Sequence, residues 1–94
     1  MTARRTDANH AEIRDSLRAC GYQVIDLSAV GHGIPDLLVV SKTGQIVLIE
    51  VKAPKGRMTP AEDKFHAEFN GPLAVVRSVE AALQVMADLE TGGN

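Results

Sequence analysis

Three residues in the middle of the chain combine the side-chain types needed to handle a phosphate ester. Asp36 follows Pro35, while Glu50 and Lys52 close an aliphatic run that begins at Ile46. The stretches 36–40 and 45–52 read as strands. The turn Ser41-Lys42-Thr43-Gly44 between them has glycine where a positive φ is wanted. With Lys42, Thr43 and Gly44 as the loop of an antiparallel hairpin, Val40 opposes Ile46, Leu38 opposes Leu48 and Asp36 opposes Glu50. Side chains alternate along a strand, so Asp36, Glu50 and Lys52 fall on one sheet face. Opposed carboxylates repel, and a divalent cation between them removes the repulsion. Mg²⁺ suits one or two carboxylates completed by water and phosphate oxygens. Beside it, the Lys52 ammonium can orient or deprotonate a water, or offset charge developing on phosphate. Each residue alone has an ordinary reading, as a turn-opening Asp or a solvated strand-end charge. A bulge at Gly44 would shift the register by one and undo the convergence.

The elements that must position these residues follow from the hydrophobic pattern. A helix is predicted near 7–20, with His10, Ile13, Leu17 and Cys20 on one face and Gly21 as its stop. A strand over 22–27 follows, then a loop in which Gly31 and Gly33 flank His32. The two hairpin strands are apolar on both faces, the mark of central strands covered on each side. Thr59-Pro60-Ala61-Glu62 carries a capping-box helix start, and that helix should stop at Asn70-Gly71-Pro72. Residues 73–77 form a fourth strand. Ser78 caps a last helix with Val79, Leu83, Met86 and Leu89 on one face, before a frayed tail at 91–94. The order α-β-β-β-α-β-α implies an α/β (α+β) domain: a four-stranded mixed sheet with helices packed on it.

Composition bounds what such a domain can be. Ninety-four residues permit one domain, 1–94, with residues 1–6 expected to be flexible like the tail. No Trp, one Tyr and two Phe leave the core to Val, Ile, Leu and Ala, so oligomerisation is an expected source of further burial. There is no membrane-length apolar run and no secretory signal. One cysteine allows neither an internal disulfide nor a cysteine zinc cluster, which fits a reducing, cytoplasmic setting. A net charge of −2 argues against nonspecific coating of nucleic acid but not against an enzyme that touches it locally. The acidic excess sits toward the C-terminus, and the region around Lys52, Lys55, Arg57 and Lys64 is locally basic.

Pro35-Asp36, then Glu50-Val51-Lys52, resembles the motif of the PD-(D/E)xK nuclease superfamily, whose restriction-endonuclease-like αβββαβ core matches the predicted order. More specifically, the chain resembles a small stand-alone VRR-NUC (virus-type replication-repair nuclease) domain. The resembling segments are 7–13, 30–39, 50–52, 58–62 and 75–78, spread over nearly the whole sequence. The resemblance implies a Mg²⁺- or Mn²⁺-dependent endonuclease that hydrolyses DNA phosphodiesters. In that reading Asp36, Glu50 and the Val51 carbonyl bind metal and Lys52 is the catalytic lysine. It further implies a homodimer acting on branched or Holliday-junction DNA in the cytoplasm, of the cell itself or of a host if the chain is phage-encoded. Many superfamily members place Glu or Gln on the first helix, pointing into the site. Here helical phase puts His10 there, with Glu12 about 110° off that face. His10 can contact a metal-bound water or phosphate, or be a helix-start histidine satisfied by the backbone; Asp7, one turn earlier, could also reach the site.

Other residues divide between site and surface. Lys55, Arg57 and His32 are candidate DNA contacts or solvated loop residues. Capping accounts for Thr59 and Glu62, with a role in the site the lesser reading for Glu62. Arg77 is structural or a DNA contact, Arg4 and Arg5 reach a phosphate backbone or are solvated, and Cys20 and Met86 belong to the core. The rival to a nuclease is a nuclease-like module that binds DNA or a partner without cutting, and a metal site at Asp36 and Glu50 separates the two.

Overall fold

A computed structural model describes residues 8–92. Its elements run α1 (His10–Ala19), β1 (Gln23–Asp26), β2 (Leu37–Val40), β3 (Ile46–Val51), α2 (Pro60–Glu68), β4 (Leu73–Val76) and α3 (Val79–Thr91). The sheet order is β1-β2-β3-β4, with β1–β2 and β2–β3 antiparallel and β3–β4 parallel across the α2 crossover. This is the mixed sheet that the pattern predicts. The hairpin pairs Val40 with Ile46 and Leu38 with Leu48, so Gly44, at φ 87°, closes the turn without displacing the register.

Strand pairing divides the sheet into two unlike faces. Leu37, Val39, Val47, Ile49, Val51 and Val76 point to one side and are buried against Ile13 and Leu17 of α1 and Ala82 and Met86 of α3. That cluster is the core, and no α2 residue belongs to it. Ile25, Leu38, Val40, Ile46, Leu48, Leu73 and Val75 point to the other side, by the same pairing. There Ile25, Ile46 and Val75 are 55%, 52% and 40% exposed. The expectation of cover on both faces is therefore corrected. Within the described residues the helices that supply buried apolar side chains, α1 and α3, both lie on one side. Cys20 is also corrected: the helix ends at Ala19, and the cysteine that closes it is exposed rather than in the core.

Caps behave as the sequence suggests in two helices of three. Thr59 accepts from the Glu62 N–H while Glu62 reaches back to the Thr59 N–H, and Ser78 accepts from Ala81. Helix α1 starts later than predicted, and its cap residue, Asn9, makes no side-chain cap bond. The expectations for Arg4, Arg5 and Asp7, for a flexible 1–6 and for 93–94 of the tail lie outside the described residues; of the expected frayed tail at 91–94, Thr91 belongs to α3 and Gly92 caps it.

Gly33 fixes how closely the loop before β2 approaches α2. Its φ is +80°, and a Cβ there would stand 2.4 Å from the Ala61 carbonyl oxygen. Gly33→Ala should therefore lower unfolding stability by more than about 1 kcal/mol, read from urea denaturation. An unchanged midpoint would show that this contact does not constrain the fold.

Candidate active site

Strand alternation puts Glu50 and Lys52 on the sheet face opposite the core, at the end of β3, and Asp36 stands just before β2 at the same end. All three are buried, at 1%, 7% and 5% exposure. Asp36 Oδ2 accepts the Val51 N–H at 2.9 Å, which ties the turn-opening residue to the edge of β3. Glu50 Oε1 is buried with no hydrogen-bond partner, and Glu50 Oε2 lies 3.7 Å from the Lys52 ammonium. Burial and the neighbouring Asp36 and Glu62 carboxylates push the Glu50 carboxyl up to about 9, against the pull of Lys52.

Glu62, for which the sequence favours capping over a role in the site, joins this cluster. It is 4% exposed, and its Oε1 lies 2.7 Å from Lys52 Nζ while also accepting the Thr59 N–H. Burial raises its carboxyl, but the bonds from Lys52 and Thr59 outweigh this and hold it below the usual range. One side chain thus ends a helix and pairs the lysine. The capping-box spacing hid this because it explains Glu62 completely at the local level.

His10 is buried with Ile13 and Leu17, and its Nε2 lies 3.0 Å from Asp26 Oδ2, on the core face of the sheet. Asp26 also accepts from Arg14 and from the Ser28 N–H and hydroxyl. Burial raises its carboxyl, but these bonds hold it well below the usual carboxylate range. The His10 contact recorded is thus with Asp26, and its Nδ1 is buried without a partner. Nothing in the sequence singled out Asp26, because one strand-end Asp carries no spacing signal. His32 has φ 59° between two glycines that are also left-handed, and it is exposed beside a cleft lined by Ala61, Lys64, Phe65 and Glu68. Lys55 and Arg57 are exposed on the loop between β3 and α2.

Two hard oxygen donors, one of them an orphaned buried carboxylate oxygen, fit a divalent ion such as Mg²⁺ or Mn²⁺. Among the described residues no group of three or more His, Cys, Asp or Glu converges as a metal cage. The Val51 carbonyl, water and phosphate oxygens would complete the shell, as Mg²⁺ ordinarily requires.

The raised Glu50 carboxyl makes stability depend on pH. Between about 4.5 and about 9 the folded protein keeps a proton that the unfolded chain releases, so stability is greatest below that window and falls as pH rises through it. Glu62 and Asp26, held low, act in the opposite direction on its acid side. In chelator, urea midpoints should fall from about pH 5 to about pH 9, and Glu50→Gln should flatten the slope. An equal slope in both proteins would contradict this.

The family model for the VRR-NUC domain matches residues 2–82. A solved structure titled "VRR_NUC domain" is similar to this chain at 28% identity, covering 90% of this chain and 95% of that one, with a TM-score of 0.66. No curated protein matches. Among the described residues no helix is long and apolar enough to cross a membrane. A mixed four-stranded sheet with Asp36, Glu50 and Lys52 at one end thus coincides with a family match over most of the sequence, and the chain belongs to the VRR-NUC domain family of nucleases.

Proposed function

We propose that this protein is a divalent-metal-dependent endodeoxyribonuclease that works as a homodimer on branched DNA. The observation that carries the reading is the buried Asp36–Glu50 pair with its unpartnered Glu50 oxygen, beside a buried lysine. Burying two carboxylates face to face is costly unless a cation joins them. A cation held there supplies Lewis acidity that lowers the pKa of a water and offsets charge on the phosphate. The chain does the rest. Asp36 and Glu50 hold the ion, and the Val51 carbonyl adds a ligand. Lys52 Nζ is paired with Glu62 Oε1 at 2.7 Å. That favours a role in hydrogen-bonding a phosphate oxygen and orienting the attacking water over a role as base. Lys55, Arg57 and His32 grip the flanking phosphates. His10, through Asp26, anchors the start of α1 against the sheet. The lone cysteine, free and exposed, suits cytoplasmic work.

The uncovered sheet face supports the homodimer. Seven aliphatic side chains lie on it, with Ile25, Ile46 and Val75 exposed, and a second copy brings an identical apolar patch to it. Two copies also present two sites to two strands, which is what branched DNA requires.

Cleavage of labelled junction, flap, duplex and single-stranded DNA should need Mg²⁺ or Mn²⁺ and stop in chelator. Asp36→Asn and Lys52→Ala should each lower kcat by about 100-fold or more while the circular dichroism spectrum persists. Metal-dependent cutting by Asp36→Asn at the native rate would overturn the reading. A non-catalytic module would instead show no Mn²⁺ binding that Asp36→Asn removes. Sedimentation should give a dimer for the native chain and a monomer for Ile46→Lys.

A further inference from the structure

Helix α1 breaks a local rule. Asparagine is among the best N-cap residues, and leaving such a cap unmade costs about 1 kcal/mol. Asn9 stands at the cap position with no side-chain cap bond. Its Nδ2 donates instead to the carbonyl of Lys52 at 3.1 Å and to that of Arg77 at 3.1 Å. The amide therefore joins the ends of β3 and β4, which also meet through the Lys52 N–H and the Val76 carbonyl at 3.0 Å.

Arg77, next after β4, continues the same arrangement. Its Nη1 lies 2.8 Å from the Ala53 oxygen, 2.8 Å from the Gly56 oxygen and 3.4 Å from the Pro54 oxygen. Residues 53–56 form a tight turn, with the Gly56 N–H donating to the Ala53 carbonyl at 2.9 Å. Three carbonyl dipoles converging on one point repel one another, and a cation at that point relieves the repulsion. The guanidinium supplies that cation from within the chain. With those oxygens turned toward Arg77, the turn leaves Lys55 and Arg57 exposed.

We propose that Asn9 and Arg77 are positioning residues. Asn9 fixes the backbone of Lys52, and Arg77 locks the 53–57 loop in the form that offers Lys55 and Arg57 to a DNA phosphate backbone. The phosphate-binding half of this rests on the DNA-cleaving reading above; the loop-locking half does not. Asn9 sacrifices its helix cap to do this, and Arg77 spends one nitrogen on three acceptors. Both expenditures serve the segment that follows the catalytic lysine.

Hydrogen exchange of the amides of Ala53, Lys55, Gly56 and Arg57 tests the lock without DNA. Arg77→Ala should speed exchange across that loop, Arg77→Lys should restore part of the protection, and exchange in β2 should stay native. Unchanged exchange at Gly56 in Arg77→Ala would overturn the proposal. Binding of a labelled junction by the Asp36→Asn protein tests the purpose. Arg77→Ala should reduce the slope of log affinity against log salt by about 1 to 2, as much as the pair Lys55→Ala/Arg57→Ala does. Adding Arg77→Ala to that pair should cause no further loss. Full additivity would mean that Arg77 acts on DNA by itself, and would overturn the mechanism. If the Lys55/Arg57 pair alone leaves binding native, the phosphate-contact part of the functional reading fails, while the exchange result still decides the lock. In cleavage, Asn9→Asp keeps the shape but removes the donor, and should lower kcat more than it raises KM. Arg77→Ala should do the reverse. Equal effects on both parameters from the two variants would refute the division of labour.

Discussion

Asp36, Glu50 and Glu62 share one nearly water-free space with a single ammonium, that of Lys52. With all four ionised the group is two charges negative, and burial makes that untenable. Part of the imbalance is met inside the chain, since Lys52 is pulled to Glu62 at 2.7 Å and stands off from Glu50 at 3.7 Å. The remainder falls on Glu50, which either keeps a proton or meets a cation from outside. The register of the hairpin, the seat of α2 and the end of β3 all act to keep these four groups together. A buried excess of negative charge of this kind is relieved either by a retained proton or by a bound cation.

The same economy explains the one-sided core. Two helices cover one face of the sheet and the third, nine residues long, contributes only Glu62 to the interior. Helix α2 contributes a carboxylate rather than apolar side chains to the interior. Its first turn carries a capping box whose acid also serves Lys52, and its approach to the loop before β2 depends on Gly33 lacking a side chain. The same placement leaves Ile25, Ile46 and Val75 exposed on the other face.

Function here is supported at two removes from the reacting atoms. Glu62 touches the lysine side chain, whereas Asn9 and Arg77 reach that segment through backbone carbonyls, Asn9 through that of Lys52 and Arg77 through those of the turn after it. The positions that depart from local expectation, Asn9 without its cap and His32 with a left-handed backbone, both lie on segments that border the site.

The sequence by itself determined the element order, the hairpin register and the meeting of Asp36 with Glu50 and Lys52. Turn length and strand alternation are short-range constraints, and a two-residue period carries a side chain's face along the strand without help from the rest of the fold. Only the tertiary structure decided that Glu62 pairs with Lys52, that His10 turns to Asp26, that the Asn9 side chain leaves its helix, that Cys20 is exposed and that, among the described residues, Ile25, Ile46 and Val75 are left uncovered on one sheet face. Each of these depends on where a helix lands relative to a strand distant in sequence. Helical phase says which residues share a stripe, but not which strand residue that stripe will meet, because that is settled by packing among elements the local pattern cannot see.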